Sequence, residues 1–176
     1  MQVDFFTYTE DVKSVPEFGI CDNAGKEKPA YIDYDIQNER EWGAKVQSQD
    51  SKDYSFVAID NNIPISKPNN ENKEESRCDA MLYTKKTIAF IELKNKRKTK
   101  AGEAAKQLKS TIKVFKENHN IEAFEYKEAY VCNKAHPHIN ISSNSLCDSF
   151  REETGVTLRI SRTIKYLDWK KRLRNL

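Results

Sequence analysis

The hydrophobic pattern of the chain is sharpest between residues 77 and 94. Arg77-Cys78-Asp79-Ala80-Met81-Leu82-Tyr83 and Ile88-Ala89-Phe90-Ile91-Glu92-Leu93-Lys94 are strand-like runs on either side of Thr84-Lys85-Lys86-Thr87. Such a pattern predicts an antiparallel hairpin closed by a short loop. Whether the loop is residues 85–86 or 84–87, Thr84 faces Thr87, and Asp79 then faces Glu92. Directly facing side chains have Cβ atoms about 4.5–5.5 Å apart. Lys94, two residues past Glu92, projects from the same face. Met81, Leu82, Ile88, Ala89, Phe90, Ile91 and Leu93 are apolar at both parities, which predicts strands covered on both sides.

The remaining pattern is coarser. Residues 54–60 read as a strand, and 61–76, with Pro64, Pro68 and a run of Asn, Glu and Lys, as a polar loop. Residues 100–118 carry Ala101, Ala104, Ala105, Leu108, Ile112 and Phe115 at helical spacing, with Lys106, Lys109, Lys113 and Lys116 roughly opposite. Gln107, Thr111 and Val114 fall on the shoulder between the two stripes. A strand at 125–132, a loop through Pro137, a helix at 144–153 stopped by Gly155, and a final strand at 156–160 complete the pattern. Upstream, Pro16, Gly19, Gly25 and Pro29 break residues 1–35 into an arm or short strands, with Phe5, Phe6, Tyr8 and Phe18 as aromatic cover. Residues 39–42 read as one helical turn and 44–46 as a short strand. This order predicts an α/β core with a mixed sheet flanked by helices. It fits one domain, with an N-terminal cover at 1–50, a core at 54–161 and a basic tail at 162–176.

The net charge of +3 hides a division. Residues 1–78 hold 9 Lys/Arg against 16 Asp/Glu, and residues 79–176 hold 21 against 11. A polyanion would be drawn to the second half, which carries the hairpin's acidic pair. Lys94, Lys96, Arg97, Lys98 and Lys100 form the densest cluster, and Lys165, Lys170, Lys171, Arg172 and Arg174 form another. No apolar run approaches the ~18 residues of a membrane span. The first residues lack the pattern of a secretory leader, so a cytoplasmic location is expected.

Two carboxylates at this distance repel each other unless a cation or a proton lies between them. Mg²⁺ suits such a pair, since it commonly uses one or two carboxylates with waters and substrate phosphate; Mn²⁺ is the alternative. Lys94 would then serve the attacking water or the phosphoryl oxygens. The bland alternative is a salt-bridge cluster of Glu92 with Lys94 or Arg77 on a solvated sheet face. Cys21, Cys78, Cys132 and Cys147 form no C-x-x-C pair, so neither structural zinc nor a disulfide is expected. His136 and His138 beside Pro137 read as an ordinary loop.

Asp79 followed by Glu92-Leu93-Lys94 resembles the D-x(n)-[D/E]-x-K signature of the PD-(D/E)XK nuclease superfamily, over about residues 54–135. Cys78 stands where the family name has Pro. The resemblance implies a restriction-endonuclease-like core. It implies metal ligation by Asp79, Glu92 and the Leu93 carbonyl, with Lys94 catalytic. It also implies a glutamine on the following helix directed at the site, a place that Gln107 matches. Thr111 stands where an exonuclease-like subgroup has Tyr. An upstream helical acid is implied as well, with Glu41 preferred over Glu39.

The expected function is therefore Mg²⁺-dependent hydrolysis of nucleic acid, with DNA preferred as substrate. Lys96, Arg97, Lys98, Lys100, Lys106 and Lys109 would bind the phosphate backbone. A homodimer would let two sites cut both strands of a duplex. The alternative from another class is a catalytically silent fold acting as a nucleic-acid-binding or protein-interaction module, including an immunity or toxin-associated protein.

Overall fold

The structure, a computed structural model, describes residues 3–23, 27–48, 53–67, 70–95, 101–135 and 144–165. Strands β1 (Glu10–Asp11), β2 (Glu17–Cys21) and β3 (Tyr31–Asp33) precede a 3-10 turn, Ile36–Glu41, and strand β4 (Ala44–Gln47). There follow β5 (Ser55–Ala58), β6 (Ser66–Lys67), β7 (Asn70–Glu74), β8 (Ala80–Tyr83) and β9 (Thr87–Lys94). Helix α1 (Ala101–Asn118), β10 (Tyr126–Asn133), helix α2 (Asn144–Thr154), β11 (Thr157–Ile160) and β12 (Thr163–Lys165) complete the order.

A six-stranded mixed sheet runs β1-β5-β8-β9-β10-β11. Its first four strands are antiparallel neighbours, of which β8 and β9 are joined by a tight turn. β9, β10 and β11 are parallel, because α1 and α2 supply the crossovers that parallel pairing needs. Ala80 pairs with Ile91 and Tyr83 with Ile88, and the Thr84 N–H donates to the Thr87 carbonyl at 2.8 Å. The register is the one expected from the hairpin pattern. α2 ends at Gly155, whose φ of +67° is the left-handed conformation of a helix stop.

The two faces of this sheet are covered differently. On one, Met81, Ile88, Phe90, Ala129, Val131 and Leu158 pack with the α1 stripe Ala104, Ala105, Leu108, Ile112 and Phe115 and with Phe150 of α2. On the other, Leu82, Ala89, Ile91, Leu93, Tyr130 and Cys132 meet Phe18, Ile20, Ala44, Val46 and Ile164. Those last residues belong to a second mixed sheet of order β12-β4-β2-β3. Residues 87–93 are accordingly buried on both sides. Each fully buried Ile, Leu or Phe contributes about 1.5–3 kcal/mol, so β9 is anchored on both faces.

Three expectations need correction. The helices flank one face of the central sheet only, since short strands built from the broken N-terminal region cover the other. Residues 61–76 are not all loop: β6 and β7 pair as a small antiparallel hairpin, which backbone bonds permit without any apolar alternation. Nor is 156–160 the final strand, because β12 pairs in parallel with β4 and draws the start of the basic tail into the second sheet. All four cysteines are free, and Cys21, Cys78 and Cys132 are buried. His136, His138 and residues 170–174 lie outside the described residues. Among those described, no helix is long and apolar enough to cross a membrane.

Trp42, fully buried, seats the second sheet against the 3-10 turn and lies directly on Gly19 of β2. A Cβ at Gly19 would stand 2.1 Å from the Trp42 Cγ, with no room to give. Gly19→Ala should therefore cost about 1–3 kcal/mol, the range for overpacking a closed core. A lowered midpoint in chemical unfolding followed by Trp fluorescence is the expected outcome; an unchanged midpoint would contradict the packing described.

Candidate active site

Side chains of β9 alternate between the two layers. Ile88 and Phe90 face α1, whereas Ala89, Ile91 and Leu93 face the second sheet. By the same alternation Glu92 and Lys94 face α1. One step beyond the Ala80–Ile91 pair, Asp79 stands opposite Glu92. Because Thr84 and Thr87 are bonded across the turn, so in register are Ala80 and Ile91. Asp79 and Glu92 therefore form the intervening non-hydrogen-bonded pair, in which side chains approach more closely.

The ladder ends here, and the Asp79 side chain takes over from the backbone. Its Oδ2 accepts the Leu93 N–H at 2.5 Å, while its carbonyl accepts the Ile59 N–H at 2.8 Å. In an extended residue the N–H and C=O point the same way, so the Leu93 carbonyl is also directed to the Asp79 side. Glu92 is 1% exposed. Its Oε1 is in contact with the Lys94 ammonium, and its Oε2 has no hydrogen-bond partner. Lys94 Nζ also donates to Gln107 Oε1 at 2.7 Å. Gln107 Nε2 in turn donates to the Arg77 carbonyl at 3.2 Å. An ammonium can only donate and a carbonyl only accept, so both ends of the Gln107 amide are fixed.

Asp79, Glu92, Lys94 and Gln107 are thus brought together, on a covered face rather than on a solvated one. Arg77 belongs elsewhere: its guanidinium pairs with Asp60 at 2.8 Å, not with Glu92. Glu41 is not gathered into the site. It ends the 3-10 turn, exposed, with its carboxylate against Lys134, whose hydrogen bond holds its pKa below the usual range. The Lys134 backbone donates to the Lys94 carbonyl at 2.9 Å. Glu39 pairs with Lys45 at 2.9 Å. Lys106 is exposed on α1, whereas Lys109 is tied to Glu153 of α2 at 2.6 Å. Lys96, Arg97, Lys98 and Lys100 lie outside the described residues.

Two contributors were not singled out from the sequence, and a third was named without a role in the site. Asp22 follows β2 and Asp60 follows β5, and the charge of each bears on Asp79. Nothing local marks either residue, because only tertiary packing brings the two strand ends to the hairpin. Thr111, placed on the shoulder of α1 by its spacing, is fully buried and accepts the Cys78 N–H at 2.8 Å.

Burial dominates the electrostatics. It pushes Asp79 up to about 7, against the Leu93 N–H, with the Asp22 charge adding to the rise. Burial and then the Asp79 charge push Glu92 up to about 9, while Lys94 pulls the other way. The pair is thus set to hold a proton or a cation. Among the described residues no three His, Cys, Asp or Glu side chains converge to hold a metal ion. Two carboxylates with a backbone carbonyl nevertheless suit Mg²⁺, which fills its shell with water and phosphate. The orphaned, buried Oε2 of Glu92 is the atom such an ion would satisfy.

Both carboxyls bind their protons more tightly folded than unfolded, where ordinary values of 3.8 and 4.5 apply. Without metal, their contribution to stability is therefore complete below about pH 4 and is lost as pH rises through about 7 and 9. The melting temperature of chelated protein should fall over that window more steeply than that of Asp79→Asn or Glu92→Gln. Mg²⁺ should restore it at the alkaline end. Thermal melts at a series of pH values check this; equal slopes for parent and variants would contradict it.

No protein-family model, curated protein or solved structure matches the chain, so the chemistry of the site rests on its geometry.

Proposed function

We propose that the protein is a metal-dependent phosphodiester hydrolase acting on nucleic acid, with DNA the preferred substrate and a restriction-endonuclease-like core. One observation carries this reading: a carboxylate with an unsatisfied, fully buried oxygen stands opposite a second carboxylate and in contact with a lysine held by an amide. Burying an unpaired acceptor is costly, which favours a site that binds something over a salt bridge serving stability alone.

Asp79, Glu92 and the Leu93 carbonyl would hold Mg²⁺ or Mn²⁺. When bound, the ion would supply charge stabilisation at the phosphoryl group and lower the pKa of a water. Gln107 keeps the Lys94 ammonium beside Glu92, oriented towards a phosphate oxygen or an attacking water at the carboxyl end of β9. That end is where open α/β sheets offer a crevice. The Leu93 N–H keeps the Asp79 carboxylate from turning away. Lys106, with the run 96–100, would supply salt-sensitive affinity for the phosphate backbone. Lys109 is committed to Glu153 and has less to offer. A homodimer remains the arrangement suited to cutting both strands of a duplex.

Incubation with supercoiled plasmid, linear duplex, single-stranded DNA and RNA tests the proposal, each with Mg²⁺, with Mn²⁺ and with chelator. Cleavage should require the metal. Asp79→Ala and Lys94→Ala should each lower it by at least about 10²-fold, the scale for losing one electrostatic contributor, with the far-UV spectrum unchanged. Wild-type rates from a clean Asp79→Ala preparation would sink the assignment. Nucleic-acid binding without turnover in any metal would favour the silent module instead.

A further inference from the structure

Helix α1 does more than cover the sheet. Gln107 and Thr111 are one turn apart, on the same side of the helix, and each reaches the chain just ahead of Asp79. Gln107 Nε2 donates to the Arg77 carbonyl, and Thr111 Oγ1 accepts the Cys78 N–H at 2.8 Å. The Thr111 hydroxyl proton is committed to the Gln107 carbonyl, at 3.1 Å. This back-bond is common for threonine inside helices and by itself signifies nothing. Here it fixes the polarity of the hydroxyl, so that its lone pairs face Cys78. The bond spans 33 positions, with Thr111 fully buried and Cys78 fully buried.

The Cys78 N–H belongs to the residue whose next peptide unit begins Asp79. Past Ala80 the β8–β9 pairing stops; the Asp79 carbonyl keeps its bond to the Ile59 N–H on the β5 side, but the Cys78 N–H is taken by Thr111 rather than by the ladder. Asp60 and Ile63 hold Arg77 by its guanidinium, but this is a side-chain tether one residue further out. Thr111 grips the backbone itself. From the same turn, Gln107 holds the Lys94 ammonium on the other strand. One helical turn thus spans both strands of the hairpin at the point where their mutual bonds end.

We propose that Thr111 is a positioning residue of the site: its hydroxyl anchors the Cys78–Asp79 backbone to α1 and so sets the Asp79 carboxylate relative to Glu92 and Lys94. The role in turnover rests on the hydrolase reading above, whereas the anchoring itself does not. The Leu93 N–H is a built-in reporter, because its acceptor is the Asp79 carboxylate. A threonine that merely fills space would not influence it.

The test compares Thr111→Val, which keeps the shape and removes the hydroxyl, with Thr111→Ser, which keeps the hydroxyl, in the full chain. Thr111→Ala is the second hydroxyl-free variant should valine fail to fold. Amide hydrogen exchange should show protection lost at Cys78 and also at Leu93 in the hydroxyl-free variant, and retained at both in Thr111→Ser. If the wild type cleaves nucleic acid, the hydroxyl-free variant should lose about 10²-fold in kcat, the scale of a ~1 Å misplacement. KM should be unchanged and Thr111→Ser close to wild type. Unchanged Leu93 protection without the hydroxyl, or equal loss in the serine variant, would overturn the anchoring whether or not the wild type is active. Absence of wild-type cleavage would count against the hydrolase reading and leave the exchange result to decide for or against Thr111.

Discussion

The register of a single hairpin decides where the most deeply buried acid among the described residues comes to rest. Glu92 is an acid 1% exposed, with one oxygen against an ammonium and the other without a partner. Its position follows from the Thr84–Thr87 turn. A slip of one residue between β8 and β9 would turn Glu92 and Lys94 towards the second sheet and put Leu93 against α1. Such a slip is opposed by every apolar pair below the site, since Met81 and Phe90 fill the helix side while Leu82 and Ala89 fill the sheet side. The core thus pays for the acid, and the acid in turn gains a fixed geometry.

The same division explains what could be read in the sequence. The hairpin was legible because both strands are long apolar runs bounded by a polar turn, and because direct opposition does not depend on turn type. The α1 stripe was legible from its helical period, and the stop at Gly155 from the residue that tolerates φ of +67°. The second sheet was not legible as a sheet. Its strands are three to five residues long, and β12 joins β4 across more than a hundred residues, a pairing no local signal announces. The β6–β7 hairpin is built from Ser, Asn, Lys and Glu, residues whose pattern reads as loop. Within the site, Asp79, Glu92 and Lys94 follow from register alone. Gln107 came from a resemblance, whereas Asp22 and Asp60 depend on which strand ends the tertiary fold brings together, and Thr111 on what packs against α1.

Glu41 shows the limit of carrying a family pattern onto a new chain. A carboxylate on a turn before the first core strand occupies the right place in order, yet its side chain is held by Lys134. Asp22 and Asp60, which no helical pattern would nominate, bear on Asp79 instead. Sequence order and spatial proximity separate here because the second sheet inserts β2, β3 and β4 between the N-terminal arm and the core. The acids that reach the site are those at the ends of strands, where a side chain can extend past the sheet edge.

This arrangement also bears on how a polyanion could approach. Asp22, Asp60, Asp79 and Glu92 gather near Lys94 and the largely buried Arg77, and Arg77 is already paired with Asp60. A cluster of acids repels phosphate while its carboxylates are ionised and unneutralised, so on the hydrolase reading affinity and chemistry would share one requirement. Burial, by lifting both carboxyls of the facing pair, keeps that repulsion small until something binds. On the hydrolase reading, cation and phosphate would then each make the other's binding more favourable, since each cancels charge that the other must face. Coupling of that kind follows from opposite charges meeting in a poorly solvated place, and it needs no movement of the fold.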